Sequence, residues 1–175
     1  MVKLSLLILC LSFISGCASV SVEDYAKNQP VMDVREFFNG NLTAHGIVKN
    51  RSGKVIRYFN ADIIASWIDG VGKLDETFVF DDGEEQKRIW IIRPDGSGSF
   101  SATANDVIGV SKMNVSGNSL FMQYVLRIPY DDDILDLKID DRMYRVSDRV
   151  VINESTMRKW GFEVGKIILV IEKTT

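Results

Sequence analysis

One histidine and two cysteines are all that 175 residues offer in the way of soft metal ligands and nucleophiles. A zinc site needs several Cys or His side chains, so no metal is expected. His45 is also the sole imidazole base. Strand alternation places it with Asn41 and Thr43, opposite Leu42, Ala44 and Val48, and no Gly-x-Ser-x-Gly elbow accompanies it. Asp95-Gly96-Ser97-Gly98 lacks the following lysine of a phosphate loop, so it reads as a hairpin turn and no nucleotide cofactor is expected. The acidic runs at 81–85 and 131–133 lack the spaced ligands of a calcium loop and read as solvated turns. Basic excess is missing too. The net charge of −3 gives no basic face for phosphates, which excludes nucleic acid as the expected partner. Beyond the N-terminus there is no apolar run long enough to cross a bilayer.

What is present begins at that N-terminus. Lys3 precedes an apolar run, Leu4 to Ile14, and small residues follow it. Residues 1–16 read as a signal peptide, too short to persist as a spanning helix. Ile14-Ser15-Gly16-Cys17 resembles a bacterial lipoprotein box. That resemblance implies diacylation of the Cys17 thiol, cleavage before it and acylation of the new amine. Ala18 and Ser19 stand where an inner-membrane lipoprotein would carry aspartate, which implies the periplasmic face of the outer membrane. Cys10 leaves with the signal, so no internal disulfide is possible. Two or three acyl chains hold firmly, since each buried methylene adds about 0.8 kcal/mol. Residues 17–33 are polar and aperiodic with Pro30, and are expected to be a flexible tether of roughly 20–25 Å.

From Val34 to Thr175 short alternating runs are separated by turn signals, as a single β domain requires. Val55 to Ile68 puts Val55, Arg57, Phe59, Ala61, Ile63, Ala65 and Trp67 on one face. Asp69-Gly70, Asp82-Gly83, Asp95-Gly96 and Gly117-Asn118 mark hairpin turns. The class is all-β. An antiparallel meander of this length is expected to close into a lipocalin-like or calycin-like barrel, which leaves few exposed edges. One exception is predicted: Glu154 to Trp160 reads as a short C-terminal helical turn ended by Gly161.

The stretch Lys73 to Trp90 sets the functional question. Leu74, Glu76, Phe78 and Phe80 share one strand face, and Asp75, Thr77 and Val79 share the other. A loop of Asp82 to Glu84 would set Glu76 opposite Trp90 and Phe78 opposite Arg88. A loop of Asp82-Gly83 alone would set Asp75 opposite Trp90 and Thr77 opposite Arg88. A one-residue slip changes which carboxylate enters with Arg88, and both remain open. Arg57 lies on the apolar side of its strand, and Tyr124 lies with Leu120, Met122, Leu126 and Ile128. An interior holding Arg57, Arg88, Trp90 and Tyr124 among apolar side chains is the usual makeup of a small-molecule pocket. A guanidinium suits a carboxylate or phosphate head, so a fatty acid or phospholipid is the expected ligand class. The same charges serve equally as a paired structural network, because a buried arginine needs a partner.

Several motifs carry a wider resemblance: Phe38-Asn39-Gly40, Ala44-His45-Gly46, Leu74 to Phe78, Asp81 to Glu84, Arg88-Ile89-Trp90, Asn105 to Gly109, Gly117-Asn118, Asp141 to Tyr144, and Asn153 to Gly161. Together they resemble the bacterial lipoprotein family of domain of unknown function 3833. The resemblance implies an outer-membrane lipoprotein with a lipocalin-like barrel, encoded near genes of fatty-acid modification, and implies no established activity. Three functions stay open: an anchored barrel that binds or shuttles a lipid-like ligand; an enzyme on acyl chains using Asp75 or Glu76 with Asp106 as acid and base; and an interaction protein whose barrel is filled by its own side chains. The membrane, through the acyl anchor, is the partner expected; no protein partner is indicated.

Overall fold

A computed structural model describes residues 19–96, 99–130 and 133–174. The signal segment and Cys17 lie outside these residues. The strands are β1 (Gly40–Asn50), β2 (Val55–Ile68), β3 (Val71–Phe80), β4 (Glu85–Pro94), β5 (Phe100–Ala104), β6 (Val107–Ile108), β7 (Ser111–Ser116), β8 (Ser119–Tyr130), β9 (Asp133–Arg145), β10 (Val150–Lys159) and β11 (Phe162–Lys173). All pairings are antiparallel. β1 pairs with β11 and β8 with β9, so the sheet meets itself and closes. Ten strands form the ring, and β6 pairs only with β8, beyond the end of β7. The expected lipocalin-like barrel is the fold.

Alternation explains which way each strand faces. On β2 Phe59, Ala61, Ile63 and Ala65 are buried while Tyr58, Ile64 and Ile68 are exposed. Small residues let the wall bend inward: Gly46 lies against the ring of Phe59, with no room for a β-carbon.

One end of the barrel is plugged. A short helix α1 (Val34–Phe37) starts at Asp33, whose carboxylate accepts from the Arg35 and Glu36 amides at 2.9 and 3.0 Å. It drives Phe37 and Phe38 into the end of the barrel beside Met32, Leu42, Leu74 and Ile92. Trp67 Nε1 donates to the Phe38 carbonyl at 2.7 Å. Arg145, itself buried, donates to the carbonyls of Val31, Ser147 and Asp148 and pairs with Glu36 at 2.6 Å.

Two expectations are corrected here. Residues 22–33 are not a free tether. Val22 and Met32 are buried, the Met32 amide donates to the Gly117 carbonyl at 2.8 Å, and the Tyr25 ring packs on Phe121 and Tyr144 at 5.7 and 5.4 Å. The apolar residues scattered through this stretch have no period of their own because they match the surface they cover. Glu154 to Trp160 is strand through Lys159, not helix. It pairs on both sides, with β9 and β11, and both sets of ladder bonds outweigh its weak local preference.

Candidate functional site

The other end of the barrel is open and leads into a cavity of about 820 Å³. Its walls are apolar. Phe59, Phe78, Phe80, Leu126, Ile128, Leu137, Met157 and Ile167 line it. At its inner end, above the plug, the lining turns polar: Glu76 from β3, Arg88 from β4, Tyr124 from β8, Asp141 from β9, and Asn153 and Ser155 from β10.

The hairpin from Lys73 to Trp90 takes neither expected register. Glu76 stands opposite Arg88, Leu74 opposite Trp90, and Asp75 opposite Ile89. The loop is Asp81-Asp82-Gly83: the Gly83 amide donates to the Phe80 carbonyl, the Phe80 amide to Glu84, and Gly83 takes φ 85°. Such a three-residue loop with glycine in the left-handed position shifts the pairing by one step beyond the alternatives considered. Glu76 therefore enters and Asp75 does not. Asp75 lies on the outer face, bonded to Lys73 at 2.9 Å, which removes it as an interior acid.

Arg88 finds its carboxylate on its other side. The β4–β5 register sets Trp90 opposite Ala104, and its continuation brings Asp106 to Arg88. Arg88 Nε and Nη2 donate to the Asp106 carboxylate at 2.8–3.0 Å, a bidentate pair. Asn105 makes that approach possible. Its side-chain oxygen accepts from the Ile89 amide at 2.7 Å and its Nδ2 donates to the Lys87 carbonyl at 3.1 Å, standing in for a strand where β5 has ended.

Glu76 is buried, and burial pushes its carboxyl up to about 7; Arg88 opposes this, and the acids Asp106 and Asp141 add to it. Burial likewise raises Asp141, against the hydrogen bonds that hold its ionised form. Those come from Asn153 Nδ2 and from Ser155 Oγ at 2.9 Å, with Tyr124 Oη 3.5 Å from the other oxygen. Burial, with Asp141 nearby, pushes the Tyr124 phenol well up, so it remains a donor. Burial, the largest single influence, would lower Arg88, but the bonds to Asp106 together with Tyr124, Glu76 and the Asp106 charge outweigh it and hold the guanidinium charged. The Trp90 ring meets Tyr124 edge-on at 5.4 Å and closes one side of the cluster. Three carboxyls thus face one guanidinium. Such a set can accept and donate hydrogen bonds and can exchange a proton near neutrality.

Arg57 stands apart, at the mouth. It lies 3.7 Å over the Phe80 ring and pairs with Asp82 and Glu84 at 2.9 Å each. Its Nε is buried without a hydrogen-bond partner. The acidic turn at 81–85 is therefore the counter-charge of Arg57.

A family model matches residues 11–173. The chain belongs to the family described as "Protein of unknown function (DUF3833)". A search of curated proteins finds no match. Among solved structures, an S-type phycobiliprotein lyase from Guillardia theta matches with a TM-score of 0.50 at 11% identity, covering 90% of this chain and 99% of that one. At that identity the likeness shows the fold alone.

In this DUF3833 chain, Arg88, Trp90 and Tyr124 converge as the sequence suggested, Glu76 is the one of the two open carboxylates that enters with them, Arg57 stays at the mouth, and Asp106 joins as the partner of Arg88. Asp141, Asn153 and Ser155 were missed as site residues. A signal existed: Ile139, Asp141 and Met143 alternate, as do Val151, Asn153 and Ser155, so polar residues sit on apolar stripes. Reading residues 154–160 as helical hid the second stripe.

Proposed function

We propose that this chain is a lipid-anchored lipoprotein of the outer membrane, facing the periplasm, whose barrel binds or shuttles a lipid-like ligand. The observation that carries this reading is the open cavity of about 820 Å³ with apolar walls and a hydrogen-bonding inner end. That size and lining suit an elongated amphiphile. The filled-barrel alternative has no such space. A fatty acid fits better than a phospholipid. Arg88 already holds Asp106 in two bonds, and two further acids stand nearby, so a fixed phosphodiester charge meets more repulsion than attraction. A carboxylic acid can enter uncharged. The anchor at Cys17 supplies the membrane from which such a ligand comes.

Native mass spectrometry of the chain lacking residues 1–17, followed by lipid extraction, tests the reading. A fatty acid in defined stoichiometry supports it. A clean apo mass that stays unchanged after incubation with fatty acids and phospholipids refutes it. Where a ligand is found, Tyr124→Phe should weaken its binding several-fold with the fold intact.

One observation favours a second reading, an enzyme acting on an acyl chain: Glu76 titrates near neutrality inside the cavity. Glu76→Gln would then retain the ligand and lose turnover. Among the acids first considered, Asp75 is excluded from that role by its outward position.

A further inference from the structure

Among the described residues four aromatic side chains are exposed, Tyr58, Tyr130, Trp160 and Phe162, and all four lie at the open end of the barrel. Tyr58 sits near the start of β2, Tyr130 ends β8, and Trp160 and Phe162 flank Gly161 in the hairpin between β10 and β11. Trp160 is 87% exposed and Phe162 66%. Monomers scatter single apolar residues over their surface. A group confined to the mouth of a cavity is a different pattern and marks an interaction surface.

The backbone makes the case sharper. Trp160 takes φ 51° and Gly161 φ 86°, the conformation of a two-residue hairpin turn that asparagine-glycine fills without strain. A bulky residue in the left-handed region is a costly choice. Here it holds one of the three tryptophans of the chain at the tip of a hairpin, in water, with the Lys159 ammonium 5.4 Å from its ring. An indole beside a lysine is the pairing that settles at the headgroup level of a bilayer. The next turn round the rim, between β1 and β2, carries exposed Arg51 and Lys54 and no acid. Within the sector the exposed Glu163, next to Phe162, stands opposite Arg158 in the ladder, while Asp81, Asp82, Glu84, Glu85 and Asp133 lie at the turns on either flank, which limits the favourable contact to this sector.

The path of the chain agrees. From Met32 at the plugged end the N-terminal segment runs along the outer wall, where Ser19 to Glu23 share a cleft with Phe121, Gln123, Asp140 and Arg142. It climbs from the plug towards the rim.

We infer that the sector of the rim made by the β1–β2 turn and the β10–β11 hairpin docks on an anionic lipid surface, with Trp160 and Phe162 inserted, so that the mouth of the cavity opens at the bilayer. This goes beyond ligand binding and rests on the membrane-anchored reading. The full-length chain, processed in its host, can be reconstituted in phosphatidylethanolamine–phosphatidylglycerol vesicles whose acyl chains carry bromine. The difference in emission between wild type and Trp160→Asn reports Trp160 alone, and asparagine suits the turn, so the variant folds. Insertion of the ring to the depth of an interfacial helix, about 5–10 Å, predicts a blue shift and quenching on the order of twofold. Emission that bromine leaves unchanged and aqueous iodide quenches would overturn the docking. Vesicles that float without protein would overturn the anchoring beneath it. Neither readout needs a bound ligand, so an empty cavity leaves the result standing.

Discussion

Glu76 is the residue whose titration is most exposed to test. Its folded pKa of about 7 lies above the ordinary 4.5, so between those values the native state holds a proton that the unfolded chain has released. Stability contributed by that proton is full below pH 4.5 and is lost as pH rises through 7, a loss of about 3 kcal/mol at most. Glu76→Gln should remove this slope and leave the variant more stable than wild type at pH 8. Urea midpoints at pH 5, 6, 7 and 8 measure it; parallel curves for the two proteins would refute the shift. Asp106→Asn acts in the opposite sense. It strips Arg88 of its only bidentate partner, with both side chains largely out of water, and should cost about 2–4 kcal/mol. Replacing the pair together, Arg88→Met with Asp106→Leu, should recover most of that loss in the same urea experiment, because no buried charge is left alone.

At the scale of elements, the weak place in the wall is where β5 stops and β6 has not begun. Asn105 bridges it with two bonds to the β4 backbone. Asn105→Ala should cost about 0.5–1.5 kcal/mol, since the Ile89 amide and Lys87 carbonyl lose side-chain bonds that lie near the surface, where water can replace them. Hydrogen exchange at the Ile89 amide should accelerate while the Leu74–Trp90 end of the hairpin stays protected; uniform protection in both proteins would show that the bridge is dispensable. The β10–β11 turn offers the reverse case. Trp160→Asn should raise stability by about 1 kcal/mol by relieving the left-handed backbone. A gain in stability coupled to a loss of membrane contact would locate the cost of that tryptophan in its function.

The whole molecule is a barrel open at one end and stoppered at the other by the segment that leads to its N-terminus. Phe37 has no exposed surface and is the centre of the stopper. Phe37→Ala should cost about 3–5 kcal/mol by leaving a cavity in a packed core, read as a lowered thermal midpoint. The plug also gives the cavity its direction. Among the described residues the polar inner end opens towards the mouth, past Arg57 and the aromatic rim.

The sequence by itself determined the β class, the alternation of the long strands, and the entry of Arg88, Trp90 and Tyr124 into one interior. Period-two patterning is a local property, and each strand carries it in its own residues. The tertiary structure decided what depends on pairing between strands. It chose Glu76 over Asp75 through a three-residue loop that the turn motif alone did not distinguish from its neighbours. It assigned Asp106 to Arg88, which the gap between β5 and β6 makes possible. It turned residues 154–159 of an expected helical turn into strand and Trp160 into a hairpin turn, because two neighbours supplied ladder bonds that no local propensity records. It also folded residues 22–33 onto the barrel, since apolar side chains without a period reveal their purpose only against the surface that buries them.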